Sequence, residues 1–204
     1  MTSRLVLGFD TSAAHCAAAL LSGDRLIARR FEPMDKGQAE RLLPLIEDLL
    51  TEAGAGWRDL DLIAVGTGPG NFTGVRIAVA CARGLALSLG IPAVGVTTLE
   101  ALALGLPRPL TVIEDARRGE VYVQTFGADH TGPATLQSAD SVTAIGAVTG
   151  SAAGATALPP AYPLAEAIAR IAALRQDPGP RPAPFYLRGA DAAPPADPPP
   201  VILP

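Results

Sequence analysis

Apolar residues fall in two rhythms along this chain. Leu5-Val6-Leu7-Gly8-Phe9 is a continuous apolar run that stops at Asp10, as a buried strand does. Residues 15–21 and 24–31 read as two further strands joined by the turn pair Ser22-Gly23. The rhythm then changes. Ala39, Leu42, Leu43, Ile46, Leu49, Leu50 and Ala53 recur at the spacing of one helix face, which predicts a helix over residues 38–53. Pro44 either kinks that helix or belongs to its first turn, and Gly54 and Gly56 stop it. Residues 61–66 read as a strand, 67–74 as a glycine-rich turn, and 75–89 as a helix closed by Gly90 and Pro92. A short strand over 93–96 precedes Thr97 and Glu100, a capping-box pair that opens a helix over 99–106. Strands over 110–114 and 120–126 flank a polar turn. Pro163, followed by Leu164, Ile168, Ile171 and Ala172, predicts one more helix.

Three strands followed by strand–helix alternation predict an α/β sheet. The order matches a ribonuclease-H-like lobe, the half that recurs in actin and the sugar kinases. Residues 1–106 are expected to form that lobe. Residues 107–190 are too few to repeat it, so a shortened, degenerate second lobe is expected there. Ten of the 20 prolines lie in residues 178–204, and residues 191–204 are expected to form an extended, mobile tail.

Composition narrows the function classes. Hydrophobic residues make up 49% of the 204, enough for a core. Aromatics at 4% argue against a base-stacking platform, and a net charge of −4 argues against tight RNA binding by the chain alone. Cys16 and Cys81 are expected to be buried free thiols. His15 and His130 have no ligand partners at metal spacing, so no metal site is expected. The apolar run before Asp10 is too short for a signal-peptide core, and no stretch reaches the ~18 apolar residues of a spanning helix. A cytoplasmic protein is expected.

Several segments carry candidate chemistry, each with a plainer reading beside it. Asp10, Thr11 and Ser12 at a strand end suit a magnesium water and phosphate oxygens, or a simple Asx or Ser/Thr turn. Gly68, Gly70 and Thr73 lie in Gly66-Thr67-Gly68-Pro69-Gly70-Asn71-Phe72-Thr73-Gly74. Together with Asp10, Thr11 and Ser12 they form a candidate shared anion site. The segment has no Gly-Lys-Ser/Thr and lacks dinucleotide-loop spacing, so a tight strand–helix turn reads equally well. Arg117 and Arg118, in Asp115-Ala116-Arg117-Arg118-Gly119-Glu120-Val121-Tyr122, are candidates for an anion or RNA contact, or belong to a surface hairpin whose charges are solvated or paired with each other.

Together these segments resemble the TsaB family. The match runs through Asp10-Thr11-Ser12, Glu40-Arg41-Leu42-Leu43-Pro44-Leu45-Ile46, and Gly68-Pro69-Gly70-Asn71-Phe72-Thr73-Gly74-Val75-Arg76. It continues through Ile91-Pro92-Ala93-Val94-Gly95-Val96-Thr97-Thr98-Leu99-Glu100-Ala101-Leu102, the Asp115 to Tyr122 box, and Pro184-Phe185-Tyr186-Leu187-Arg188. It is nearly continuous over residues 4–126 and patchy after that. The family's histidine and serine are replaced by Gln38 and Ala39, and its serine by Asn71.

The resemblance implies an actin-like fold with a degenerate second lobe and a non-catalytic role. It implies pairing with a TsaD-like catalytic subunit and, in the full complex, a TsaE-like ATPase. That complex transfers threonylcarbamoyl to the adenosine next to the anticodon of tRNAs reading codons that begin with A. No cofactor is expected in isolation. The helices over 38–53 and 75–89 are expected to form the partner surface, through Leu42, Leu43, Ile46, Leu49, Val75, Ala78, Val79 and Ala82. The second helix is apolar nearly all round, so one small lobe leaves part of it to cover. A homodimer is an alternative occupant of that surface. The competing functions are an actin-like ATP-dependent small-molecule kinase, which needs a second phosphate loop, and a metallopeptidase, which needs a metal and a base.

Overall fold

The computed structural model describes residues 3–188. The expected tail over 191–204 lies outside the described residues. Two sheets organise the chain. The first has the order β3-β2-β1-β4-β5, from β1 (Leu5–Asp10), β2 (His15–Ser22), β3 (Arg25–Pro33), β4 (Leu62–Gly66) and β5 (Ala93–Val96). β1, β2 and β3 are antiparallel, and β4 and β5 continue parallel to β1. This is the ribonuclease-H-like order.

Both faces of this sheet are covered, which explains the continuous apolar runs of β1, β2 and β4. On one face, Leu7, Phe9, Cys16, Ala18 and Leu20 meet α1 (Gln38–Glu52) and α2 (Phe72–Leu89). On the other, Val6, Leu62, Ala64 and Val96 meet Ala167, Ile168, Ala169 and Ala172 of α4 (Leu164–Leu174), with Ala101 of α3 (Thr98–Ala103). Gly8 makes the close approach of α4 possible. A Cβ there would lie 2.5 Å from the Ala165 carbonyl oxygen. So α4, which follows the second sheet in sequence, completes the first.

The second sheet has the order β8-β7-β6-β9, from β6 (Leu110–Asp115), β7 (Glu120–Phe126), β8 (Thr135–Ser138) and β9 (Ala147–Thr149). β6, β7 and β8 are antiparallel and β9 is parallel to β6. That repeats β1 to β4 in reduced form. Where α1 stands in the first lobe, a single 3-10 turn, Ala139–Ser141, precedes β9. The actin-like α/β fold with a degenerate second lobe is therefore present.

Local details follow from sequence chemistry. Pro44 lies inside α1 on its exposed side and not in its first turn. α2 starts earlier than the apolar rhythm predicts, at Phe72, because the Asn71 side chain accepts a hydrogen bond from the Gly74 N–H and caps it. The Thr97–Glu100 capping box forms as expected, but its helix ends at Ala103. α2 also corrects the membrane reading. Its 18 residues are long and apolar enough to cross a bilayer by length and composition. Its Val75, Ala78, Val79 and Ala82 face nevertheless packs on the chain's own sheet.

Candidate functional site

Two sequence motifs, the 10–12 turn and the 66–74 loop, meet at the end of the first sheet where β1, β4 and β5 finish. Asp10 is fully buried. Its Oδ1 accepts hydrogen bonds from the Ser12 N–H at 2.9 Å and the Ser12 hydroxyl at 2.8 Å, and lies 2.9 Å from His15 Nε2. Its Oδ2 has no partner among the described residues. The Thr11 hydroxyl donates to the Gly74 carbonyl at 2.6 Å, and the Asn71 N–H donates to the Ser12 carbonyl.

The glycines of the 66–74 loop serve this contact. A Cβ on Gly74 would lie 1.9 Å from the Thr11 carbonyl oxygen, and one on Gly70 2.5 Å from the Ser12 carbonyl oxygen. The loop is thus latched onto the 10–12 turn. Asp10 Oδ1, Thr11 and Ser12 spend their hydrogen-bonding groups inside the chain, Asp10 Oδ2 is left without a partner among the described residues, and Thr73 is exposed. The tight strand–helix turn is formed. The His15–Asp10 pair was missed because the intervening turn, and not metal spacing, brings it together.

The closing motif ties this region to the second lobe. The Phe185 N–H donates to the Thr67 carbonyl. The Tyr186 ring lies 5.0 Å from Phe72, and its hydroxyl accepts from Arg76 Nε at 2.9 Å. The Arg76 guanidinium lies 3.7 Å over the Phe72 ring, a cation–π contact on the exposed surface. Arg188 Nη2 donates to the Ala116 carbonyl at 2.9 Å and pairs with Glu120. Sequence reading missed the Phe72–Arg76–Tyr186 cluster. Its only local signal is that Phe72 and Arg76 are four apart on one helix.

The β6–β7 hairpin bears Arg117 and Arg118 at φ 64° and 55°, left-handed values uncommon outside glycine. The Arg117 N–H is held by Asp115 Oδ1 at 2.9 Å. Behind the hairpin, burial pushes the Glu114 carboxyl upward, partly opposed by hydrogen bonds from Ser151.

The predicted partner residues need correction. Leu42, Ile46, Leu49, Val75, Ala78, Val79 and Ala82 are all buried in the chain's own core. They form the inner faces of α1 and α2, because an amphipathic stripe turns first to its own sheet. Only Leu43 of the set is exposed, at 46%. The outer face of α2 presents Phe72, Arg76, Ala80, Arg83, Gly84 and Leu87. α1 is tied to β3 by Arg41. That guanidinium donates to both Glu32 carboxylate oxygens, at 2.7 and 2.6 Å, and to Asp48 at 3.0 Å. It holds the Glu32 carboxyl below the usual range. Among the described residues, no three His, Cys, Asp or Glu side chains are grouped as metal ligands.

Comparison with known proteins adds to this geometry. A family model described as TsaD, tRNA N6-adenosine threonylcarbamoyltransferase, matches residues 32–173. The solved structure of YeaZ from Pseudomonas aeruginosa superposes with a TM-score of 0.74 at 30% identity, covering 90% of this chain and 100% of that one. The TsaB protein of Escherichia coli K12 is 39% identical over 133 residues. The chain belongs to the TsaB family. The Bacillus subtilis TsaB protein is 42% identical over 127 residues. These matches take in 62% and 59% of this chain, which spans only 57% and 54% of the two relatives' lengths. Two of the TsaB motifs, Asp10-Thr11-Ser12 and the segment over 68–76, are the ones latched together at the end of the first sheet.

Proposed function

We propose that this chain is a non-catalytic partner subunit in the formation of N6-threonylcarbamoyladenosine next to the anticodon of tRNA. Membership of the TsaB family carries the reading, since its curated relatives bear the name of that biosynthesis. In this reading the chain works in the cytoplasm and pairs with and activates a TsaD-like catalytic subunit, and a TsaE-like ATPase joins them. The first lobe, residues 1–106, docks through the outer faces of α1 and α2, around Leu43, Ala80 and Leu87. The 83% exposure of Leu87 supports this choice. The second lobe, residues 107–190, presents Arg117 and Arg118 to tRNA. The latched loop at Asp10 supports a role without a nucleotide bound to the isolated chain.

The test is reconstitution with the catalytic subunit and the ATPase, following threonine incorporation into tRNA. Omitting this chain is expected to abolish incorporation. Ala80→Glu places a charge on the exposed face, so the variant is expected to keep its melting temperature. It should lose catalytic-subunit affinity by roughly a thousandfold, the equivalent of ~4 kcal/mol for a charge buried unpaired at an interface. Full incorporation without this chain would refute the role, and unchanged affinity of Ala80→Glu would refute the surface.

A further inference from the structure

A cleft of about 520 Å³ lies between the C-terminal half of α2, the segment leading into β5, and the loop over residues 178–182. Its size falls in the range of small-molecule pockets, roughly 300–1,000 Å³. Pro92 and Pro182 make its walls rigid, and Leu87 supplies an apolar rim. Arg83 and Arg181 also line it, no carboxylate does, and neither arginine has a hydrogen-bond or ion-pair partner among the described residues. Unpaired guanidiniums beside apolar walls, in a chain of net charge −4, select a ligand with an anionic end and an apolar body.

Gly84 points the same way. Glycine is a poor choice inside a helix, where alanine is better by both entropy and propensity. A Cβ on Gly84 would meet nothing within 4 Å. No packing contact in the chain therefore requires the glycine, while its missing side chain leaves the cleft open. The C-terminal end of α2 carries a partial negative charge, but two full positive charges at the cleft outweigh it.

We infer that this cleft binds a small amphipathic anion, an aromatic or aliphatic body carrying one carboxylate, sulfonate or phosphate. The site is separate from the latched 10–12 and 66–74 segments, and its rim residue Leu87 is shared with the proposed docking face. The probe is anilinonaphthalene sulfonate, titrated by fluorescence against the full chain, with uncharged N-phenylnaphthylamine as control. Saturable one-site binding of the anion is expected, with the neutral analogue much weaker. Arg83→Ala combined with Arg181→Ala is expected to weaken the anion by about tenfold or more, as befits lost charged hydrogen bonds. Gly84→Leu is expected to block binding while leaving the melting temperature equal or higher. Absence of saturable binding, equal binding of the neutral analogue, or unchanged binding in the folded Gly84→Leu variant would each overturn the assignment.

Discussion

Asp10 holds three polar groups with one carboxylate oxygen and none with the other, so its value to the fold depends on which atom is kept. Asp10→Ala strands the Ser12 N–H, the Ser12 hydroxyl and the His15 ring in the interior. Each unsatisfied buried group costs about 1–3 kcal/mol, so a loss of about 3 kcal/mol or more is expected. Asp10→Asn retains one acceptor oxygen and is expected to cost less, and paired urea titrations of the two variants test the order. Gly74→Ala should be worse than Gly84→Ala in the same helix, because its Cβ meets the Thr11 carbonyl and that of Gly84 meets nothing within 4 Å.

The two thiols give a pH dependence. Burial pushes both Cys16 and Cys81 from near 9 to about 11. The unfolded chain releases those protons near pH 9 and the folded chain near 11. Their contribution is full below pH 9 and fades as pH rises towards 11. Urea midpoints at pH 8, 9.5 and 10.5 should fall in that order, and Cys16→Ala with Cys81→Ala should flatten the slope. At this scale the sequence was half legible. The glycines of residues 66–74 announced a close approach, but the object approached, a carbonyl of the same chain, lies 63 residues from Gly74 and leaves no local trace.

Elements were easier to read than their orientation. The strand over 93–96 and the strand over 120–126 match the structure, since each is a short apolar run between clear stops. β8 and β9 escaped notice. β8 carries Thr135, Gln137 and Ser138, half-buried or exposed, so no alternation marks it. α2 was recognised as a helix, yet being apolar nearly all round it could not reveal which side faced its own sheet. The caps are a firmer basis for prediction. Thr97→Ala removes the hydroxyl that accepts from the Glu100 N–H, and about 1 kcal/mol of stability is expected to go with it. A melting-temperature comparison with Thr131→Ala, outside any cap, isolates the effect.

For the whole molecule, the closing motif joins the two sheets, alongside α3, which packs on both. Phe185 touches the 66–74 loop, Tyr186 the start of α2, and Arg188 the β6–β7 hairpin. Arg188→Ala should therefore loosen the hairpin without melting the first sheet. Faster amide hydrogen exchange in residues 115–122, with unchanged exchange in β1, is the expected pattern. Replacing Arg117 and Arg118 together by alanine should leave the fold intact and lower tRNA modification in the reconstituted system. Normal modification would return the pair to a purely structural hairpin.

The position of α4 also sets a timetable for the newborn chain. The strands of the first sheet are all synthesised once Val96 has left the ribosome, but the helix that covers one of its faces ends at Leu174. At about 5–20 residues per second, roughly 4–16 s separate the two. Through that interval Val6, Leu62, Ala64 and Val96 have no partner from the C-terminal helix, and β1 and β4 carry a bare apolar surface. A nascent chain halted before residue 164 is a sticky one. Its survival depends on holdase chaperones or on the speed of translation across the second lobe, where synonymous codon choice can decide the yield.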